Sequence, residues 1–195
     1  MKFDLKYGAG IKTVQIPEEV DIKLLQPETM PVLKSLPFAL GDALENPLGC
    51  DALSKQLKQK EQSRIALAIP DATLATPVKK LVSIVLEHIY QSLPDLKPGV
   101  ITIVIGSGLH TPPDIEKQND LIPYDIVHGC NIVVHDANKF MAKDFGTTSR
   151  GTPVRINAAF AEADFKIVIG QIDPHQFVGF TGGSKAAVIG CASPE

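Results

Sequence analysis

The 195-residue sequence has only three cysteines, Cys50, Cys130 and Cys191, widely spaced and without a Cys-x-x-Cys pair. That argues against a disulfide framework; the three read as reduced, mostly buried thiols of a cytoplasmic protein. There is no excess of positive charge, since 19 Lys+Arg stand against 22 Asp+Glu for a net charge of -3. Broad electrostatic capture of nucleic acid or of an anionic membrane is therefore not expected. Long apolar runs are missing as well. The longest, around Ile65 to Pro70 and Val100 to Ile105, fall far short of a membrane span. The N-terminus, Met1 to Tyr7, lacks the apolar core of a secretory signal. Neither an internal repeat nor a low-complexity segment is present. What remains is an ordinary globular composition, 44% hydrophobic and 21% charged. The length suits one large domain, or one domain and part of a second.

Residues Phe3 to Ile16 alternate around Tyr7-Gly8-Ala9-Gly10 and predict a β-hairpin or two short strands. A turn-rich stretch with Pro27, Pro31 and Pro37 comes next, without a clear period. Leu48 to Lys60 reads as a helix with Asp51 as a possible N-cap. From Arg64 the pattern sharpens. Ile65 to Ile69 is a buried-strand run, and Thr76-Pro77 suits the start of a helix reaching Leu93. Within that helix Val78, Leu81, Val82, Val85, Ile89 and Leu93 share one face. Val100 to Ile105 is again a buried strand, so the stretch forms a βαβ unit and implies a parallel sheet covered on both faces. Asn131 to His135 and Lys166 to Ile169 repeat the strand signal, with a helix expected over Arg155 to Ala163. The class is α/β, with a Rossmann-like parallel sheet and an N-terminal hairpin.

Ligands of a parallel sheet collect outside the carboxyl ends of its strands. Three loops of unusual composition fall there: Pro70 to Pro77, Gly106 to Pro113, and Gln171 to Lys185. Each carries a polar group able to face one cleft, namely Asp71, His110 and His175. Two histidines suit acid–base chemistry, because imidazole titrates near neutral pH. In the third loop, Gly182-Gly183-Ser184-Lys185 exposes backbone N–H groups, and a helix starting near Lys185 would add its positive end for a phosphate. A P-loop is disfavoured, since Ser184-Lys185-Ala186 offers no hydroxyl after the lysine. A lysine beside glycines can also serve as a covalent attachment point, or be a solvent-facing side chain after a turn. Gly106-x-Gly108 lacks the third glycine of a dinucleotide fingerprint, so an ordinary dehydrogenase is disfavoured. His128 and His135 are not expected to form a metal pair, His88 reads as a rim or surface residue, and Arg150 and Arg155 could bind carboxylate but read more readily as solvated.

Pro174-His175, the stretch Gly179 to Lys185 and then Gly190-Cys191-Ala192-Ser193 resemble the nickel-pincer-nucleotide-dependent lactate racemase family. Ala161-Glu162-Ala163-Asp164, Gly108-Leu109-His110 and Asp71-Ala72-Thr73 match in the same order, over about Asn46 to Glu195. The resemblance implies a pyridinium mononucleotide with two sulfur-containing arms that hold nickel, joined to Lys185 through a thioamide. It implies cofactor contacts at Thr73, Gly182, Gly183 and Ser184, and His110 and His175 as alternating acid and base with Asp71 beside them. A hydride would leave the α-carbon of a 2-hydroxy acid and return on the other face, inverting the centre.

Two departures qualify the expectation. An arginine that succeeds the Asp-x-Thr stretch in the family is Leu74 here, and one that succeeds the first histidine is Thr111. Losing both guanidinium groups removes fork-shaped carboxylate recognition. The substrate class therefore stays open between lactate, a larger or differently polar 2-hydroxy acid, and a sugar acid. The family also has a nickel-ligating histidine after the lysine motif and a second domain, whereas no histidine occurs after His175. The expectation is a single N-terminal domain, residues 1–195, with no complete metal site and no activity alone. The second domain would come from the same parent chain or from a separate one. The alternative is a non-catalytic module that binds a nucleotide or small acid.

Overall fold

The computed structural model describes residues 1–8, 10–25, 30–59 and 63–194, which fall into two compact units, Met1–Lys34 and Ser35–Glu195. In the first unit, β1 (Lys2–Tyr7) and β2 (Gly10–Gln15) pair antiparallel with Lys2 opposite Gln15 and Tyr7 opposite Gly10. Thr13 Oγ1 donates to Asp4 Oδ1 across the pair at 2.6 Å. Pro27 lies outside the described residues.

The second unit opens with α1 (Leu36–Glu45), a helix that the proline-rich composition hides. Pro37 sits in its first turn, where a missing N–H costs nothing, and Ser35 Oγ accepts from the Phe38 N–H at 3.4 Å. Next, α2 (Leu53–Lys58) is shorter than the expected Leu48 to Lys60 helix, whose last residue lies outside the described residues. Asp51 is not its cap; its carboxylate pairs with Lys55 at 2.9 Å and its carbonyl accepts from Gln56 Nε2.

The βαβ unit comes next as β3 (Ile65–Pro70), α3 (Val78–Ser92) and β4 (Ile101–Gly106). Thr76 does not cap α3. Pro77 holds the cap position without a side-chain bond, and the Thr76 hydroxyl instead donates to Gln171 Oε1 at 3.0 Å. Then come α4 (Ile115–Leu121), capped by Asp114 and not expected from the sequence pattern, and β5 (Asn131–Val134). The helix expected over Arg155 to Ala163 is shorter than that and begins as strand. A hairpin of β6 (Ala142–Thr147) and β7 (Pro153–Asn157) takes Arg155 and Ile156, leaving only α5 (Ala158–Ala161) helical. Asn157 starts that turn by accepting from the Ala159 N–H at 3.0 Å. The chain continues through β8 (Phe165–Val168), the two-residue pair β9 (Pro174–His175) and β10 (Gly179–Phe180), and α6 (Lys185–Val188).

The central sheet is parallel with order β5-β4-β3-β8. All six β3 residues are buried, as a strand covered on both faces requires. Ile65, Leu67 and Ile69 face α3, joining Val82, Leu86 and Ile89 in the larger core. Ala66 and Ala68 face the other way, toward Ile156, Phe160 and Cys191. Small residues on that side let α5 and α6 approach the sheet closely. The chain steps from β3 to β4 to β5 in one direction and then returns to place β8 on the other side of β3. That reversal opens a crevice at the carboxyl end of β3, the usual ligand position of such sheets. Of the cysteines only Cys191 is buried; Cys130 is half-buried and Cys50 exposed, which corrects the expectation of mostly buried thiols. Burial pushes the Cys191 thiol up to about 12, so it is an inert core group. Among the described residues no helix is long and apolar enough to cross a membrane.

Candidate functional site

A cleft of about 540 Å³ lies at that carboxyl edge. Its lining includes Asp71, Thr73, His110, His175, Gly182 and Lys185. The loops after β3, β4 and β8 therefore bring six of the eight predicted site residues together. Gly183 and Ser184 stand beside the cleft, exposed, and do not line it.

The first construction in the cleft is a carboxylate–histidine pair. Pro70 pairs with Gly106, so Asp71 and Ser107 leave the sheet side by side. Asp71 is buried, and its Oδ2 lies 2.7 Å from His110 Nδ1. Oδ1 accepts from both the backbone N–H and the hydroxyl of Thr73, at 3.1 and 2.5 Å. Thr73 thus serves the carboxylate, beyond the cofactor contact expected of it. Because a carboxylate accepts, the proton of a neutral His110 sits on Nδ1 and its Nε2 is left as a base. The His110 side chain is 61% exposed, so Nε2 can be reached.

His175 is arranged the opposite way. It stands on β9 opposite Gly179, half-buried, and its Nδ1 accepts from the backbone N–H groups of Phe177 and Val178 at 3.2 and 3.4 Å. A neutral His175 therefore carries its proton on Nε2, as a donor. One cleft holds one imidazole set to accept and one set to give.

The lysine loop is braced by polar side chains that the sequence pattern does not single out. Thr181 Oγ1 donates to the Gln171 carbonyl at 2.6 Å and accepts from the Asp173 N–H at 2.8 Å. Gln171 Nε2 donates to Asp173 Oδ2 at 2.6 Å while its Oε1 takes the Thr76 hydroxyl, tying the β8 loop to the β3 loop. Their position just past strand ends was the available signal. Gly182 has a φ of 75°, and a Cβ there would lie 2.8 Å from the Gln171 carbonyl oxygen. Glycine is thus required by the backbone itself at this position. The helix expected to begin near Lys185 is a single four-residue turn, so its dipole supplies no phosphate site. The backbone N–H groups of Gly182, Gly183 and Ser184 nevertheless donate to no group among the described residues.

Ser107 completes the floor. It is 3% exposed, lines the cleft, and its Oγ has no hydrogen-bond partner among the described residues. On the remaining side, the lining carries Leu74, Leu109, Phe177 and Val178 and no arginine. Arg155 lies instead on β7 beside Asp144, and Arg150 is exposed. His88, expected at the rim, is largely covered and meets Glu45 at 2.5 Å. Among the described residues no group of three His, Cys, Asp or Glu side chains is placed to hold a metal ion.

Comparison with known proteins resolves the family. The model of the lactate racemase N-terminal domain matches residues 7–195. This chain belongs to that family. It is 31% identical over 154 residues to a lactate racemase of Thermoanaerobacterium thermosaccharolyticum, and 33% identical over 153 residues to one of Lactiplantibacillus plantarum. Those matches cover 78% and 77% of this chain but 35% of each relative, so the chain spans about a third of their length. The solved lactate racemase apoprotein from the first organism superposes with a TM-score of 0.80 at 26% identity, over 99% of this chain and 44% of that one. A Thermotoga maritima structure, at 22% identity and a TM-score of 0.54 over 72% of this chain and 37% of that one, shares the fold. The α/β reading and the family resemblance both hold.

Proposed function

We propose that this chain is the cofactor-bearing domain of a lactate racemase-like racemase or epimerase of 2-hydroxy acids. The carrying observation is the convergence of the Asp71–His110 pair, His175 and Lys185 on one cleft at the β3/β8 crossover. The two lactate racemases matched along most of the chain support the reaction class. In this reading a neutral His110 takes the proton of the substrate hydroxyl at Nε2, and His175, charged as the imidazolium, gives one from Nε2 to the substrate oxygen when the opposite enantiomer is formed. Each imidazole then holds the protonation state the other held, so the pair serves either direction.

The cleft also suits a bound cofactor: the buried Ser107 hydroxyl and the three N–H groups before Lys185 have no partner among the described residues and could meet a ligand's acceptors. Lys185 would anchor a nickel-pincer nucleotide covalently, with Thr73, Gly182, Gly183 and Ser184 beside it. Such a group, when bound, supplies the hydride acceptor that inversion of a carbinol carbon needs. The nickel ligands are not assigned to this chain. The substrate is a small 2-hydroxy acid or sugar acid, met here by apolar walls and neutral donors rather than by guanidinium. The setting is cytoplasmic, with neither nucleic acid nor membrane as partner. Since the chain spans a third of its relatives, we infer that it needs the remaining domain, in the same or a separate chain, for turnover.

Intact-mass analysis after co-expression with the cofactor-making enzymes tests the assignment. A mass increase that Lys185→Ala abolishes is the expected result. No adduct on Lys185 in the complete protein would leave a module that binds a nucleotide or small acid without catalysis.

A further inference from the structure

His135 takes no part in the cleft, yet it is fully buried and every ring nitrogen is used. It lies just past β5, and its backbone N–H donates to the Ile105 carbonyl at 3.0 Å, extending the sheet by one rung. Phe140 meets the ring edge-on at a centroid distance of 4.7 Å. On one side of the imidazole stands Asn157, whose Oδ1 is already committed to the Ala159 N–H. The amide group left for the ring is therefore Nδ2, which donates to His135 Nδ1 at 3.2 Å. With Nδ1 accepting, the single proton of a neutral ring lies on Nε2, and this donates to the Ala192 carbonyl at 3.0 Å.

Ala192 belongs to the segment that leaves α6, and that segment is sewn down at each residue. The Asn157 N–H donates to the Cys191 carbonyl at 2.7 Å, Ala192 bridges Ile156, and the Ser193 N–H donates to the Arg155 carbonyl at 3.0 Å. One residue earlier, the Gly190 carbonyl accepts from the Gly108 N–H in the His110 loop at 2.9 Å. The Ile189 and Gly190 N–H groups close back on the Lys185 carbonyl at 2.9 and 3.0 Å. Hydrogen bonds and the short backbone segment between them thus connect His135, through Ala192 and Gly190, to both Lys185 and the loop of His110. A four-residue helix cannot hold its own geometry; the tethered segment Gly190 to Ser193 sets its position.

We propose that His135 and Asn157 form a buried latch that positions Lys185, by fixing the segment Gly190 to Ser193 against β7. His135 is a positioning residue: it touches no reacting atom and acts through Ala192. Its use as a positioning device rests on Lys185 being the cofactor anchor, but the latch itself is tested without any cofactor.

The experiment is amide hydrogen exchange by mass spectrometry on this chain and on two variants. His135→Phe keeps a ring in the core and removes both hydrogen bonds; His135→Gln restores an N–H donor near the Nε2 position. In His135→Phe, peptides covering residues 185–193 are expected to exchange about tenfold faster while β3 and β4 stay protected. His135→Gln should bring that segment back to within about threefold of the parent. Unchanged exchange at 185–193 in the Phe variant overturns the latch. So does equal loosening of β3, β4 and the segment in both variants, which would mark His135 as core filling only. Should the Phe variant not fold, nitrogen-15 NMR of the parent decides: an Nε2-protonated ring supports the latch and an Nδ1-protonated ring sinks it. A latch that behaves as expected beside a Lys185 that never gains an adduct would discard the anchor reading alone.

Discussion

His110 Nδ1 and Asp71 Oδ2 lie 2.7 Å apart, joining residues 39 positions apart in the chain, and Thr73 fixes the other carboxylate oxygen. The carboxylate thereby sets which nitrogen of the imidazole faces the cleft. Asp71→Asn keeps the shape but offers an amide that can also donate. In the complete enzyme this substitution is expected to lower kcat by about 10²–10⁴-fold with a smaller change in KM. Nitrogen-15 shifts of His110 should show the Nδ1-protonated tautomer losing ground. Unchanged tautomer and unchanged kcat would remove Asp71 from the machinery.

Ser107 carries a buried hydroxyl that has no hydrogen-bond partner among the described residues. Removing an unpartnered buried polar group relieves a desolvation cost, so Ser107→Ala should raise stability by about 1 kcal/mol. Urea unfolding of the isolated chain measures this. A loss of stability of similar size would mean the hydroxyl is bonded in solution and is not held in reserve for a ligand.

Burial holds the His135 imidazole below its ordinary value of 6.5, opposed by its bond to the Ala192 carbonyl and by the nearby Asp136 carboxylate. The unfolded chain therefore binds a proton that the folded chain resists. Stability is fully present above about pH 6.5 and falls as pH drops through the window down to the depressed folded value. Urea midpoints measured from about pH 7.5 downward should show this slope, and His135→Gln should lack the part due to this residue. A parent and variant with identical pH profiles would show that the ring is free to charge in place.

Gly190 lies where α6 meets the end of β4. A Cβ there would overlap the Ala186 carbonyl oxygen and approach the Gly106 carbonyl oxygen to 3.1 Å, both of them backbone atoms unable to swing aside. Gly190→Ala is expected to destabilise the chain by about 1–3 kcal/mol. The same substitution should disturb the amide resonances of Gly108 and Lys185 together, since Gly190 bonds to both. An Ala variant with parental stability would contradict the close packing of these two elements.

The parts legible in the sequence were those with a strong local pattern. The apolar runs of β3 and β4 and the one-sided face of α3 need no partner to be seen, and the three polar loops are placed by where those strands end. α1 was hidden because Pro37 looks like a breaker until its place in a first turn is known. The β6–β7 hairpin was hidden because Arg155 to Ala163 mixes alanines with a strand whose pairing partner lies elsewhere. Long-range polar contacts left no local trace: Thr76 reads as a cap but serves Gln171, 95 residues away. His135 likewise looks like a stray histidine until Ala192, 57 residues on, is brought to it.

The parallel pairing of β3 with β8 places Ile65 opposite Phe165. In a chain synthesised from its N-terminus, the strands bearing Asp71 and His110 emerge long before the strand that completes the cleft. The contacts that seat the lysine loop are among the most distant in sequence, and such contacts form late. Lys185 therefore reaches its place after the two sheet loops have theirs. On the proposed reading, an enzyme that joined a cofactor to Lys185 would meet a folded domain rather than a nascent peptide, and would recognise a surface rather than a sequence.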